Sequence, residues 1–418
     1  MLEKMSPLSL DKFEKDGEKF SGIPKDILEF IQMISFEDVD ENFHLPNEVF
    51  KMVRKFKATI DSIILKSENR ITLNSKLDKI TELVEGFFMQ AFLNTENFIT
   101  VCDGTVCDGN ERKISNNSFK DFTGKETNPT NVIYGGEELA RVKEHVDSLI
   151  KGEILGYRLE FSTAGGKRAG WVTVRVPFTS INIRFGFEIG NNKLYRSFFK
   201  KTKEIPPEEL VFHERDFYFL KKVIPIYKEF VVKVLPLLPG IERDNFHKMF
   251  NLIFIKALIL DFMIKFNPNP AGFYKGSEPV VLSESFLKIT GYTWEEIMLY
   301  YTNKREFYKN FNGPKPSEQE LDDLINKYGN SSEITTLIYK GEDLQYVMKK
   351  VSEKANNGGG YDSEPFILTH RTGLIKIKIP WTNHIYIPNN DRNPILSIRT
   401  GNLGGIEFYK GESNFIYN

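Results

Sequence analysis

Apolar and polar residues alternate along this chain in two rhythms. In "LPNEVFKMVRKFKATIDSII" the residues Val49, Phe50, Val53, Phe56, Ile60 and Ile63 recur every three or four positions, which predicts one face of an amphipathic helix, with Pro46 at a favoured first-turn position. "ERDFYFLKKVIPIYKEFVVKVL" (Glu214–Leu235) has the same rhythm, and it predicts a helix kinked at Pro225 and stopped at Pro236. The most apolar stretch, "NLIFIKALILDFMIKF" (Asn251–Phe266), is interrupted by Lys256, Asp261 and Lys265, so it reads as a helix buried in protein rather than a membrane span. Elsewhere the rhythm has period two. "YRLEF" and "GWVTVRV" flank "STAGGKRA", "FILTH" and "LIKIKI" flank "RT", and a final pair, "NHIYI" and "PILSIRT", flanks "PNNDRN". Each pair reads as antiparallel strands joined by a turn.

These elements occur twice in one order. "ISNNSFKDFTGK" (Ile114–Lys125) returns as "VLSESFLKITGY" (Val281–Tyr292), and "IYGGEELARVKEHV" (Ile133–Val146) as "IYKGEDLQYVMKKV" (Ile338–Val351). "GFFMQAFL" sits over "LIFIKALI", and "GWVTVRVPF" (Gly170–Phe178) over "GLIKIKIPW" (Gly373–Trp381). Self-similarity at this density marks a duplicated domain, whose second copy carries a polar, partly helical insertion near 294–337. In each copy the Ser-Phe phrase reads as a short helix capped by Asn117 or Ser118, and by Ser283 or Ser285. A longer helix follows, with Leu139, Val142 and Val146, or Leu344, Val347 and Val351, on one face. Two strands, helices, then three strands give an α+β unit: a five-stranded antiparallel sheet with helices on one face. The implied organisation is an N-terminal helical region (1–84), a first copy (85–190), a helical linker (191–249), a second copy (250–402) and a tail (403–418).

The Phe-x-x-x-Thr-Gly phrase (Phe119–Gly124; Phe286–Gly291), the helix "GGEELARVKEHVDSLIKGE" and the hairpin "YRLEFSTAGGKRAGWVTVRVPF" resemble the PAS domain family. So do "NPNPAGFY" and "TGYTWEEI" in the second copy. The resemblance implies two PAS-like sensor or interaction modules, each enclosing a small pocket, with flanking helices that pass a signal or form a dimer. Some members hold haem, flavin or a metabolite; others stay empty and mediate dimerisation. The corresponding pocket candidates are Phe119, Phe122, Val142 and Val146 in the first copy and Phe286, Ile289, Val347 and Val351 in the second, with ordinary core packing as the alternative.

Composition narrows the chemistry. Of 418 residues, 56 are Lys or Arg and 57 Asp or Glu, a net charge of −1 that offers no global field for nucleic acid or an acidic membrane. The basic stretch "RSFFKKTKE" (Arg196–Glu204) reads as a solvated linker. The only cysteines are Cys102 and Cys107, which fits a reducing compartment, and "VCDGTVCDG" lacks the further ligands that a metal centre needs. Both cysteines precede the Ser-Phe phrase, which disfavours covalent flavin photochemistry. His145, on the long helix, is the one haem-ligand candidate, and its counterpart is Lys350. "AGGKRAG" lacks the spacing of a phosphate loop and reads as a hairpin turn, and no HExxH or GxSxG pattern occurs. The expectation is a non-catalytic, cytoplasmic regulatory protein, with the nucleus left open. It would bind a small ligand, a second copy of itself or a protein partner, with a transcriptional regulator acting through a partner as a further alternative.

Overall fold

A computed structural model describes residues 22–35, 39, 48–63, 68–93, 95, 97–103, 112–123, 136–162, 166–177, 179, 181–189, 204–205, 207–331, 334–356, 360–386, 395–402 and 405–410. The fold is α+β and comprises two compact units. One contains residues up to Gly190 together with Phe199–Met263, and the other Asn191–Phe198 with the chain from Ile264 onward.

In the first unit, α1 (Lys25–Ile31), α2 (Glu48–Ile63) and α3 (Glu68–Phe87) precede the sheet, and α3 runs into a π-helical turn, Phe88–Phe92. Most of the α2 stripe packs as its spacing predicts: Val49, Val53, Phe56 and Ile60 are buried, while Phe50 is half-buried and Ile63 at the last turn is exposed. The first sheet is β1 (Phe98–Asp103), β2 (Arg112–Ser115), β3 (Gly156–Ser162), β4 (Arg168–Arg175) and β5 (Ile181–Glu188), in the order β2-β1-β5-β4-β3 and antiparallel throughout. Between β2 and β3 lie α4 (Asn117–Thr123) and α5 (Gly136–Ile150). After the sheet come α6 (Tyr218–Lys233), which continues through Pro225, and α7 (Gly240–Lys265), which contains the most apolar stretch. Phe30, Tyr227, Phe246, Phe250 and Phe254 interlock at ring-centroid distances of 4.9–5.6 Å among neighbours. The charges of α7 are used inward. Lys256 Nζ donates to both oxygens of Glu85, at 2.6 and 2.8 Å, and both residues are fully buried. Asp261 accepts the backbone N–H groups of Phe219 and Leu220 at the start of α6, at 2.9 and 3.0 Å. Among the described residues, no helix is long and apolar enough to cross a membrane.

The second unit repeats the sheet. β6 (Ala271–Lys275), β7 (Glu278–Leu282), β8 (Gly360–Thr369), β9 (Lys376–Tyr386) and β10 (Leu396–Gly401) pair as β7-β6-β10-β9-β8, the order of the first sheet strand for strand. Two features depart from the sequence reading. The stretch expected to be a tail supplies a sixth strand, β11 (Glu407–Lys410), which pairs with the start of β9 where β10 has already left it. "LIKIKI" and "NHIYI" also belong to one strand, which passes through Pro380. Pro380 stands opposite Pro365 of β8, where neither can donate, so its backbone faces the other neighbour. There its missing N–H falls between the β11 and β10 pairings, and its carbonyl accepts from Asn402 at 2.8 Å.

The helices of this unit are α8 (Glu284–Thr290), α9 (Trp294–Thr302), α10 (Lys304–Asn310), α11 (Glu318–Tyr328), α12 (Thr335–Ile338) and α13 (Gly341–Asn356). Among its described residues the insertion is organised around helices. Tyr300, Phe307, Tyr308 and Phe311 pack together, and the buried Lys304 ammonium donates to the Gly329 carbonyl at 2.8 Å. Thr293 and Ser317 cap α9 and α11 through reciprocal bonds with Glu296 and Glu320.

Candidate functional site: the inner faces of the two sheets

In both copies the short helix is tied to the first strand by the same set of bonds. Asn116 Oδ1 accepts the N–H groups of Ile99 and Phe119, at 3.0 and 3.1 Å, and its amide donates to the Asn97 carbonyl at 2.6 Å. Ser283 Oγ accepts from Ala271 and Phe286, at 2.8 and 3.2 Å. The cap of the first copy is therefore Asn116, not Asn117 or Ser118. Ser118 instead donates to the Thr95 carbonyl, as Ser285 does to that of Asn267. Gly291 ends α8 at φ +77°, and a Cβ there would lie 2.2 Å from the His370 ring, so both backbone and packing require glycine.

These ties set Phe119 and Phe286 over the inner face of each sheet. Phe119 meets Trp171 at 5.3 Å and Phe286 meets Trp381 at 6.1 Å, and each tryptophan lies beside a glycine of the neighbouring strand, Gly186 or Gly401. Trp171 thus corresponds to Trp381. The hairpin match read from the sequence, which set Trp171 over Leu374, is displaced, because Leu374 lies 75 % exposed in the turn before β9.

The first-copy candidates are brought together: Phe119, Phe122, Val142 and Val146 share a buried cluster with Phe98, Leu149, Tyr157, Leu159, Phe161, Ala169 and Trp171. In the second copy Phe286, Ile289 and Val347 are buried, but Val351 is 36 % exposed. Tyr346 and Lys350 turn α13 toward Glu364 on β8, at 3.1 and 2.9 Å, which leaves Val351 outside the core. His145 lies at the rim of the first-copy cluster, its ring 5.3 Å from that of Tyr157. Its Nδ1 lies 2.8 Å from the Arg141 carbonyl and so carries the proton there, and it lines an edge cavity of about 180 Å³ with Glu144, Ser148, Ile154 and Glu204. That volume is below the roughly 300 Å³ at which small-ligand pockets begin, and the two carboxylates are poor neighbours for haem propionates. Cys102 is buried on β1, Cys107 and most of "RSFFKKTKE" lie outside the described residues, and the described part of "AGGKRAG", 166–170, leads into β4 where it pairs with β3. Among the described residues no group of three or more His, Cys, Asp or Glu could hold a metal ion.

Sequence reasoning missed the other half of the inner face. Residues paired across strands share a face, so Trp171 fixes that Thr100, Arg184 and Thr173 form one row across β1, β5 and β4, and Cys102, Asn182 and Arg175 the next. All six are at most 2 % exposed. Arg175 Nε donates to the Thr179 carbonyl at 2.8 Å, which anchors that side chain at the β4–β5 turn. The hydroxyls of Thr100 and Thr173 and both amide atoms of Asn182 have no hydrogen-bond partner. Each such group costs about 1–3 kcal/mol when buried dry. The second sheet keeps the arginine and changes its surroundings: Arg399 pairs with Gly272 and Asn383, Ser397 stands for Asn182, and Tyr274 stands for Cys102. The Arg399 guanidinium lies 4.7 Å over the Tyr274 ring, and burial raises that phenol to about 12. One signal was available: "NIRFG" (Asn182–Gly186) and "SIRTG" (Ser397–Gly401) share Ile-Arg-x-Gly.

No family model matches the chain, and no curated protein matches it. Among solved structures it is similar to an RNA-binding Light-Oxygen-Voltage receptor, at 7 % identity and a TM-score of 0.22 over 74 % of this chain and 93 % of that one. It is also similar to a LOV protein of Rhodobacter sphaeroides, at 13 % identity and a TM-score of 0.20 over 44 % and 97 %.

Proposed function

We propose that this chain is a non-catalytic regulatory protein of two PAS-like units, in which the first senses a small molecule at the inner face of its sheet and the second is a filled, structural copy. What supports this reading is the buried polar half of the first inner face, where the hydroxyls of Thr100 and Thr173 and both amide atoms of Asn182 have no hydrogen-bond partner. Unmet hydrogen-bonding capacity of this kind is costly to a packing core and useful to a binding one. Native mass spectrometry of the purified chain, with a visible absorption spectrum of the same sample, tests it. The expected result is excess mass per chain that disappears on denaturation. A colourless chain at its own mass that is also a dimer would favour an interaction module instead. That second reading has its own support in the first unit, where Val232, Leu237 and Ile241 are 74 %, 53 % and 77 % exposed around the corner between α6 and α7.

A further inference from the structure

Sensing does not by itself say what is sensed, but the side chains of the first inner face do. Paired strands lie about 4.8 Å apart and alternate residues about 6.8 Å, so the two rows from Thr100 to Thr173 and from Cys102 to Arg175 cover about 10 by 7 Å. That is the footprint of a small metabolite. Within it stand two guanidinium groups, two hydroxyls and a primary amide, all on one face. The chemistry is one-sided: guanidinium groups donate only, and their planar fork matches a carboxylate or a phosphate. The threonines and Asn182 can donate as well, and Asn182 can also accept from a protonated or hydroxylated neighbour of the anionic group.

The second copy shows what closing such a site looks like. There Tyr274 takes the position of Cys102 and its ring covers the arginine, while Gly272 removes the Thr100 hydroxyl. The first copy has the small Cys102 at that position and keeps every polar group around it.

We propose that the polar end of the first sheet's inner face binds a small organic oxyanion, a carboxylate- or phosphate-bearing metabolite. Arg184 and Arg175 supply the charge and Thr100, Thr173 and Asn182 the hydrogen bonds. The proposal rests on the sensing reading and adds the ligand class and the residues. It also makes the first copy the only one of the two able to respond, since the Tyr274 ring fills the same place in the second.

The test is a thermal-unfolding titration of the full chain with succinate in one arm and inorganic phosphate in the other, both taken to millimolar concentration. The expected result is a saturable rise in Tm in one arm, which identifies the anionic group. Asn182→Leu and Thr100→Val, which keep side-chain size, should each weaken it about tenfold, as losing a hydrogen bond to a charged group does. Arg184→Met should abolish it, and Arg399→Met should leave it unchanged. If Arg184→Met fails to fold, the two size-conserving variants decide alone. No saturable rise in either arm, or a rise that Asn182→Leu and Thr100→Val leave intact, overturns the proposal. Native mass spectra of the same variants separate the two levels. Bound mass that persists in every variant sinks the oxyanion site and leaves the sensing reading standing, whereas no bound mass and no rise sinks both.

Discussion

Arg184 and Arg399 occupy the same place in the two sheets, each two residues before the glycine that makes room for a tryptophan, yet their neighbours differ. Around Arg399 an aromatic ring lies over the guanidinium. Around Arg184 the paired side chains are Thr100 and Thr173, buried, polar and without hydrogen-bond partners. A duplicated fold can therefore hold one backbone plan while the neighbours of the matching arginine change from two hydroxyls to an aromatic ring. At the arginine what differs is a few strand positions, on the same five-strand plan.

The largest effect should come from exchanging the residue that fills the second copy. Tyr274 is 4 % exposed, so Tyr274→Ala should cost about 3–5 kcal/mol, read from chemical unfolding of the full chain. The reciprocal Cys102→Tyr should cost no more than about 3 kcal/mol, the usual range for overpacking, and should end the anion-dependent rise in Tm. A penalty as large as that of Tyr274→Ala would mean that the polar end of the first face is already packed solid.

Acid should separate the copies next. His384, on β9 of the second unit, is fully buried, and burial lowers it from 6.5 to about 4. The unfolded chain then binds the proton more tightly than the folded one, so the stability tied to neutral His384 is complete above about pH 6.5 and is lost as pH falls toward 4. The loss should reach about 3 kcal/mol, and His384→Leu should flatten it. His370, also in the second unit, is lowered in the same direction by burial. If pH-dependent unfolding leaves the second unit as stable at pH 4.5 as at pH 7, the assignment of the histidine is wrong.

The ties between helix and strand should rank in the opposite order. Asn116 and Ser283 each serve three backbone partners, but the bond to the upstream carbonyl is short in the first copy, 2.6 Å from Asn116 to Asn97, and long in the second, 3.4 Å from Ser283 to Asn269. Asn116→Ala should cost about 2–3 kcal/mol, a cap plus a stranded N–H and carbonyl, and Ser283→Ala about 1–2. Equal costs would show that the shorter amide bond contributes little.

Much of this architecture could be read from residue order. The stripe Val49, Val53, Phe56, Ile60 packs as spaced, the two Ser-Phe phrases become matching short helices, and the alternating stretches become hairpins. Reading stopped where one-dimensional rhythm stops carrying information. β5 is buried along Ile181–Phe187 on both faces, so alternation between apolar and polar residues there does not separate inside from outside, and Asn182 and Arg184 look like solvent positions. Val351 continues the stripe of Val347 by spacing, yet the pull of Tyr346 and Lys350 toward Glu364 decides its exposure. The equivalence of Trp171 and Trp381 was hidden because the second hairpin carries more paired residues between its tryptophan and its turn, and the partners Phe119 and Phe286 with the facing glycines reveal it.

The smallest effect is the one whose sign matters most. In the ligand-free chain Asn182→Leu removes two unpartnered amide atoms from a buried position and adds apolar contact, so it should stabilise the first unit by about 1 kcal/mol. Ser397→Ala at the matching position of the second sheet should change stability by less than that, because a single small hydroxyl is lost. A chain that grows more stable as it loses the capacity to bind is what a site kept for a ligand would produce. If Asn182→Leu instead destabilises by 2 kcal/mol or more, the amide is holding the fold together, and the first inner face is a core like the second.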